Sequence, residues 1–149
     1  MAEMSREQMD AFLAEPYLAR IATVRPDGRP HVVPIWFWWD GTSVYMETPP
    51  DSVKATNLRH NPRCALTVDI TEGGLRFAAV IMEGTVELLT DRQVQLEIAT
   101  RVYTKYLGQE GVQSPTPQRM IHNEHVIIKF TPQHIVTWDD RRGAIAPIP

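Results

Sequence analysis

Cysteine is almost absent from this chain: a single Cys64 in 149 residues excludes an internal disulfide and any cysteine-rich metal cluster. Cys64 lies in a strand-like run and reads as a small core residue. A basic excess is missing too. The formal charge is −3 at pH 7, whereas general nucleic-acid binders carry surplus Lys and Arg to displace counterions from phosphates. No nucleic-acid partner is expected. No apolar run approaches the ~20 residues of a membrane span. Met1 to Glu15 mixes Glu3, Arg6, Glu7 and Asp10 with its apolar positions, unlike a signal peptide, so a soluble, cytoplasmic protein with no membrane partner is expected. No glycine-rich nucleotide loop is present and no strand is followed by a long crossover helix, so open α/β folds fit poorly. No Ser-His-Asp, Cys-His or paired-carboxylate arrangement can be located from spacing, which leaves hydrolytic chemistry without support. His122 and His125 have H-x-x-H spacing, but at a loop-to-strand junction they do not share a face and no third ligand is apparent. No metal site is expected.

What the chain does have is apolar content, 43%, enough for one core in a single domain over residues 1–149. Met4, Met9, Phe12 and Leu13 recur at near-helical spacing behind Ser5, predicting a helix within residues 1–15 that ends near Glu15-Pro16. Strands then follow over Leu18–Val24, His31–Trp39 and Ser43–Thr48, separated by turns at Pro26-Asp27-Gly28 and Asp40-Gly41. Ser52–His60 reads as a short helix stopped by Asn61-Pro62. Two more strands, Arg63–Ile70 and Arg76–Leu89, flank the turn Thr71–Gly74, and Gly84 suggests a bulge or close backbone approach. Thr90 with Gln93 matches a capping box, opening a helical stripe of Val94, Ile98, Val102, Tyr106 and Leu107 that stops at Gly108. Gln109–Gln118 reads as a loop. The last strands are Val126–Phe130 and Ile135–Trp138 around a Thr131-Pro132 turn, before a tail over 139–149. Five to seven antiparallel strands with two or three outer helices predict a mainly β (α+β), closed or nearly closed barrel.

Two stretches carry possible chemistry. Thr48-Pro49-Pro50-Asp51-Ser52-Val53-Lys54 leads from a strand end into the first turn of a helix, where unpaired N–H groups and the dipole favour an anion and Lys54 adds charge. The same residues also fit an ordinary cap beside a solvated lysine, and spacing does not choose between the two. The second stretch is Val33-Pro34-Ile35-Trp36-Phe37-Trp38-Trp39. Alternation puts Val33, Ile35, Phe37 and Trp39 on one face and Pro34, Trp36 and Trp38 on the other, so both faces need cover. A barrel interior covers one; a second subunit or a flat aromatic ligand would cover the other, with Pro34 leaving a gap in the ladder. Basic pairs that could meet a small anion are Arg25 with Arg29, Lys54 with Arg59, and Arg141 with Arg142. His31, His60 and His134 read as surface or capping groups, and His31, Tyr45 and Tyr103 are the candidates if an acid–base residue contributes.

The order Ala22-Thr23-Val24, Asp27-Gly28-Arg29-Pro30, Val33-Pro34-Ile35-Trp36, Asp40-Gly41, Val44-Tyr45, Thr48, Lys54 to Arg63 and Leu66-Thr67-Val68 resembles the pyridoxamine 5'-phosphate oxidase superfamily. The similarity runs from about Phe12 to Trp138 and is nearest to its short bacterial flavin- or deazaflavin-dependent reductases. The resemblance implies an antiparallel split β-barrel of the FMN-binding kind with peripheral helices, in a homodimer with two cofactor sites at the subunit interface. Lys54 would then contact the cofactor phosphate, helped by Thr48, Ser52 and Asn57. Val33, Pro34, Ile35, Trp36 and Phe37 would lie along the isoalloxazine or deazaflavin ring, partly through backbone groups. Trp138 would reach the ring from the partner subunit.

The departures matter as well. The Arg-x-His substrate motif of the oxidases is absent from the segment Arg141 to Pro149, which argues against oxidation of pyridoxamine phosphate. The arginine that precedes the phosphate lysine in the oxidases is replaced by Val53, so another basic residue is needed. The expected activity is hydride transfer between bound coenzyme F420 or FMN and a small organic substrate. The short-branch likeness leans towards F420, and Arg25, Arg29 and Arg59 could receive its anionic tail. The alternative is a non-enzymatic protein that stores or senses a flavin, deazaflavin or haem-type ligand.

Overall fold

A computed structural model describes residues 2–142. Seven antiparallel strands form one sheet, β1 (Ala19–Val24), β2 (Pro30–Ile35), β3 (Trp38–Trp39), β4 (Val44–Thr48), β5 (Arg63–Thr71), β6 (Phe77–Leu89) and β7 (Val126–Asp139). Their order is β2-β1-β5-β6-β7-β4-β3. The two end strands are joined in the chain by Trp36 and Phe37 alone, so the sheet has to curl until its two ends approach at that break without pairing. This is the split barrel. Its interior is filled by residues from alternate positions of every long strand, among them Ile21, Met46, Leu66, Val80, Met82 and Phe130, all fully buried. Four helices surround it: α1 (Arg6–Ala14), α2 (Val53–His60), α3 (Arg92–Gly111) and α4 (Pro115–His122).

Local chemistry explains most boundaries. Ser5 caps α1, as the sequence predicts, and closes a reciprocal capping box with Gln8. At α3 the cap is Asp91, one residue later than Thr90: its carboxylate accepts the Val94 N–H at 3.0 Å, where a Thr90 cap would have taken the Gln93 N–H. Gly108 (φ +77°) kinks α3 rather than ending it, and the helix resumes to Gly111. The segment expected as a loop contains α4, which begins at Ser114-Pro115, with the proline where its missing N–H costs nothing. The two final strands are one. Thr131 and Pro132 continue β7, with Pro132 opposite Gly84 at a register shift in β6, where a strand tolerates a residue without an N–H.

The aromatic run differs in the other direction, since one predicted strand is two. Its expected alternation holds: Phe37 is fully buried in the barrel, and Val33, Ile35 and Trp39 pack against that core. The other face is covered largely by α3 of the same chain. Trp36 stacks on Tyr106 (centroids 4.5 Å apart, 7° between planes) and meets Tyr103 edge-on, while Trp38 packs with Tyr45 and Arg101. The outer residues of β2, Pro30, Val32 and Pro34, are left bare.

Gly84 is the position at which β6 and β7 come nearest, since a Cβ there would lie 2.2 Å from the Thr131 carbonyl oxygen. Gly84→Ala should therefore destabilise the protein by about 2 kcal/mol or more in urea unfolding. An unchanged midpoint would contradict this close approach.

Candidate functional site

The turn between β4 and α2 is built by side chains that bond one another. Thr48 donates its hydroxyl to Ser52 Oγ (2.8 Å), and that oxygen accepts the Ala55 N–H (3.2 Å) as the helix cap. Asn57 is 2% exposed and donates from Nδ2 to Thr23 Oγ1 (3.0 Å), tying α2 to β1. Thr48, Ser52 and Asn57 thus hold the first turn of α2 in place. Lys54, in that turn, forms no ion pair among the described residues; burial lowers its pKa, with the Glu47 carboxylate opposing.

His31 and Arg25 join this lysine. The β1–β2 register sets His31 opposite Thr23, the partner of Asn57. Burial, then the charges of Arg25 and Lys54, hold the His31 pKa below its ordinary value, and His31 Nδ1 is buried without a hydrogen-bond partner. Arg25, His31 and Lys54 therefore form one basic cluster against the start of α2. Sequence grouping missed it, pairing Arg25 with Arg29 and Lys54 with Arg59. Arg29 is held by Asp27 (2.8 Å), and Arg25 and Arg59 each donate to a carbonyl, of Pro30 (2.8 Å) and Pro50 (2.7 Å). The signal was available in the tight Asp27-Gly28 turn, which fixes the hairpin register and hence the place of His31.

The five strand positions expected along a ring are divided. Val33, Ile35 and Phe37 point into the barrel and Trp36 lies under α3, so among their side chains only Pro34 is exposed. β2 is the end strand of the order, bonded to β1 on one side only, and its other edge presents backbone groups. Trp138 is not brought to these residues. It pairs with Ala79 on the outer face, and four strand steps separate β7 from β2, about 19 Å along the sheet. Its indole Nε1 is buried and unpaired.

Beside Trp36 the kink and return of α3 into α4 enclose a cavity of about 370 Å³, lined by Glu47, Tyr103, Leu107, Pro117 and Met120 among others. Its main polar feature is the hydrogen bond from Tyr103 Oη to Glu47 Oε1 (3.1 Å). Burial, reinforced by Glu47, raises the Tyr103 pKa and keeps the phenol protonated. The other acid–base candidate, Tyr45, donates to Asp40 (3.0 Å) on the far side of the β3–β4 turn. His122 and His125 are each engaged by backbone carbonyls, and no group of three or more His, Cys, Asp or Glu gathers among the described residues. In the tail, Arg141 is bound to Asp139 (2.7 Å); residues 143–149 of the predicted tail lie outside the described residues.

A family model described as pyridoxamine 5'-phosphate oxidase matches residues 5–139. A conserved hypothetical protein of Mycobacterium tuberculosis has a similar structure, with a TM-score of 0.84 and 23% identity over 98% of this chain and 92% of its own. An F420 reductase is similar at a TM-score of 0.66 and 28% identity, covering 85% of this chain and 94% of its own. A FAD and heme binding protein of Mycobacterium smegmatis is similar at 0.77 and 18%, covering 95% and 74%. No helix among the described residues is long and apolar enough to cross a membrane.

In an NMR titration His31 should deprotonate below its ordinary pKa of 6.5. Inorganic phosphate should raise that midpoint, because an anion beside the ring favours the imidazolium. A midpoint that ignores phosphate would show that the cluster does not meet anions.

Proposed function

The chain belongs to the pyridoxamine 5'-phosphate oxidase family, and from that premise we propose that it is an oxidoreductase that binds a flavin-type cofactor, FMN or coenzyme F420, and serves a small organic substrate. The observation that carries this reading is the basic cluster of Arg25, His31 and Lys54 against the first turn of α2. It brings together cationic groups, an orphaned buried imidazole nitrogen and free helix N–H groups, the chemistry that a phosphate monoester satisfies. Arg25 stands in for the cationic contact that Val53 cannot make, and His31 adds its unpaired ring nitrogen.

With the phosphate at α2, a planar ring extends along the open edge of β2. There the strand offers its backbone, and Pro34 removes one donor from the ladder. The bound ring supplies the hydride chemistry; this chain binds, orients and dries it. The position of Trp138 supports a homodimer. It shares the outer sheet face with the exposed Val32 and Val136, and a second copy packed on that face brings its Trp138 to a ring that its own chain cannot reach. F420 is favoured over FMN by the F420 reductase among the similar structures. Oxidation of pyridoxamine phosphate is not part of the proposal, because the Arg-x-His motif is absent. A second reading, a flavin- or haem-holding protein without turnover, is favoured by the likeness to the FAD and heme binding protein.

Fluorescence titration with FMN and with F420 tests the proposal. At least one should bind at micromolar concentration, and Lys54→Ala should weaken it about ten- to a hundredfold, the worth of one charge-assisted contact, with little change in melting temperature. Binding of neither cofactor, or an unchanged affinity in the variant, would overturn it. Bound cofactor that no electron donor can reduce and no acceptor can oxidise would support the second reading.

A further inference from the structure

We propose that the cavity between α3, α4 and Trp36 is the substrate pocket, and that it selects uncharged, planar aromatic compounds carrying a hydroxyl or N–H donor. This deepens the reading above, because the cavity begins at Ile35 and Trp36, the end of the strand along which the ring is placed. Its volume of about 370 Å³ lies near the lower end of the range for ligand sites, room for one or two fused rings. The walls suit such a shape. Trp36 is held between Tyr106 and Tyr103 and so offers a rigid aromatic surface, while Leu107 and Met120, 38% and 46% exposed, leave apolar side chains at a rim that nothing covers.

The donor requirement follows from how the polar end is already used. Tyr103 is 5% exposed and spends its one O–H on Glu47. An ionised carboxylate has only acceptor sites, so what remains at that end are lone pairs. A ligand O–H or N–H completes them, whereas a ligand carboxylate meets like charge in an apolar pocket. Glu47 is also the acidic neighbour that opposes the effect of burial on the Lys54 ammonium. Selectivity in the cavity is thereby tied to the anion site at α2 through a single side chain. No covalent step is involved in this recognition.

The test uses the full chain without cofactor and three probes at pH 7, namely 2-naphthol, 2-methoxynaphthalene and 2-naphthoate, read on the methyl NMR signal of Met120. We expect 2-naphthol to shift that signal saturably, with the methyl ether and the carboxylate each at least tenfold weaker. Glu47→Gln should reduce the preference for naphthol over naphthoate at least fivefold. Leu107→Trp, at the exposed rim, should weaken naphthol binding without unfolding the protein, which guards against a Glu47 variant that fails to fold. No saturable shift, equal binding of the three probes, or a preference that survives Glu47→Gln would overturn the inference. A protein that binds FMN or F420 but not naphthol loses only this inference. One that binds naphthol but neither cofactor loses the proposed function instead.

Discussion

Both backbone polar groups of Phe37 are satisfied by side chains of two consecutive residues of α3. The Phe37 N–H donates to Tyr106 Oη (3.1 Å), and the Phe37 carbonyl accepts from Lys105 Nζ (3.1 Å). The same two side chains reach on to the Tyr17 and Leu13 carbonyls, at 2.7 and 2.8 Å, so helix, barrel edge and the end of α1 are fastened at one point. An unpaired buried group costs about 1–3 kcal/mol, and the break between β2 and β3 would leave two of them. Burial lowers the Lys105 pKa to about 7, a cost offset by the two carbonyls and by the Phe37 ring face 3.4 Å away. Because the break is held this way, Phe37 can fill the barrel while Trp36 turns under α3. The free edge of β2 stays in place between them.

The functional reading rests on that division of the aromatic strand. Side chains of Val33, Ile35 and Phe37 are committed to the core, so what the strand can offer a ligand is its backbone edge and Pro34. On the proposed reading, recognition by charge would come instead from the end of the barrel, where Arg25 and Lys54 both act on His31. Glu47 stands between this cluster and the cavity under α3, bonded to Tyr103 on one side and felt by Lys54 on the other. The basic cluster and the apolar cavity thus share one side chain as a neighbour. The outer sheet face, with Trp138 at its far side, is the element that a second subunit would complete.

Much of this was legible in the sequence because it is local. The Ser5 cap, the hairpin turns, the helix behind Ser52 and the close approach at Gly84 each depend on a few neighbouring residues. Alternation along Val33 to Trp39 placed each side chain on its correct face. Most of the failures are non-local. Nothing near Trp36 announces that Tyr106 and Lys105, some 70 positions on, will interrupt the ladder there and cover the face assigned to a partner or ligand. Thr131-Pro132 looks like a turn until Gly84 is set opposite it. Ser114-Pro115 was a readable helix start, passed over because the residues before it are polar and glycine-containing. In the candidate site, Ser52 and Lys54 stand out from one helix turn and Thr48 and Asn57 through the family resemblance, whereas the grouping of Arg25 and His31 with Lys54 needs the β1–β2 register.

A crystal structure of the protein grown with FMN or F420 tests the account most directly. It should show the phosphate in contact with Lys54 and the first turn of α2, the ring along the free edge of β2, and Trp138 of a second subunit approaching that ring. A cofactor bound elsewhere, or a ring contacted by one chain alone, would contradict it.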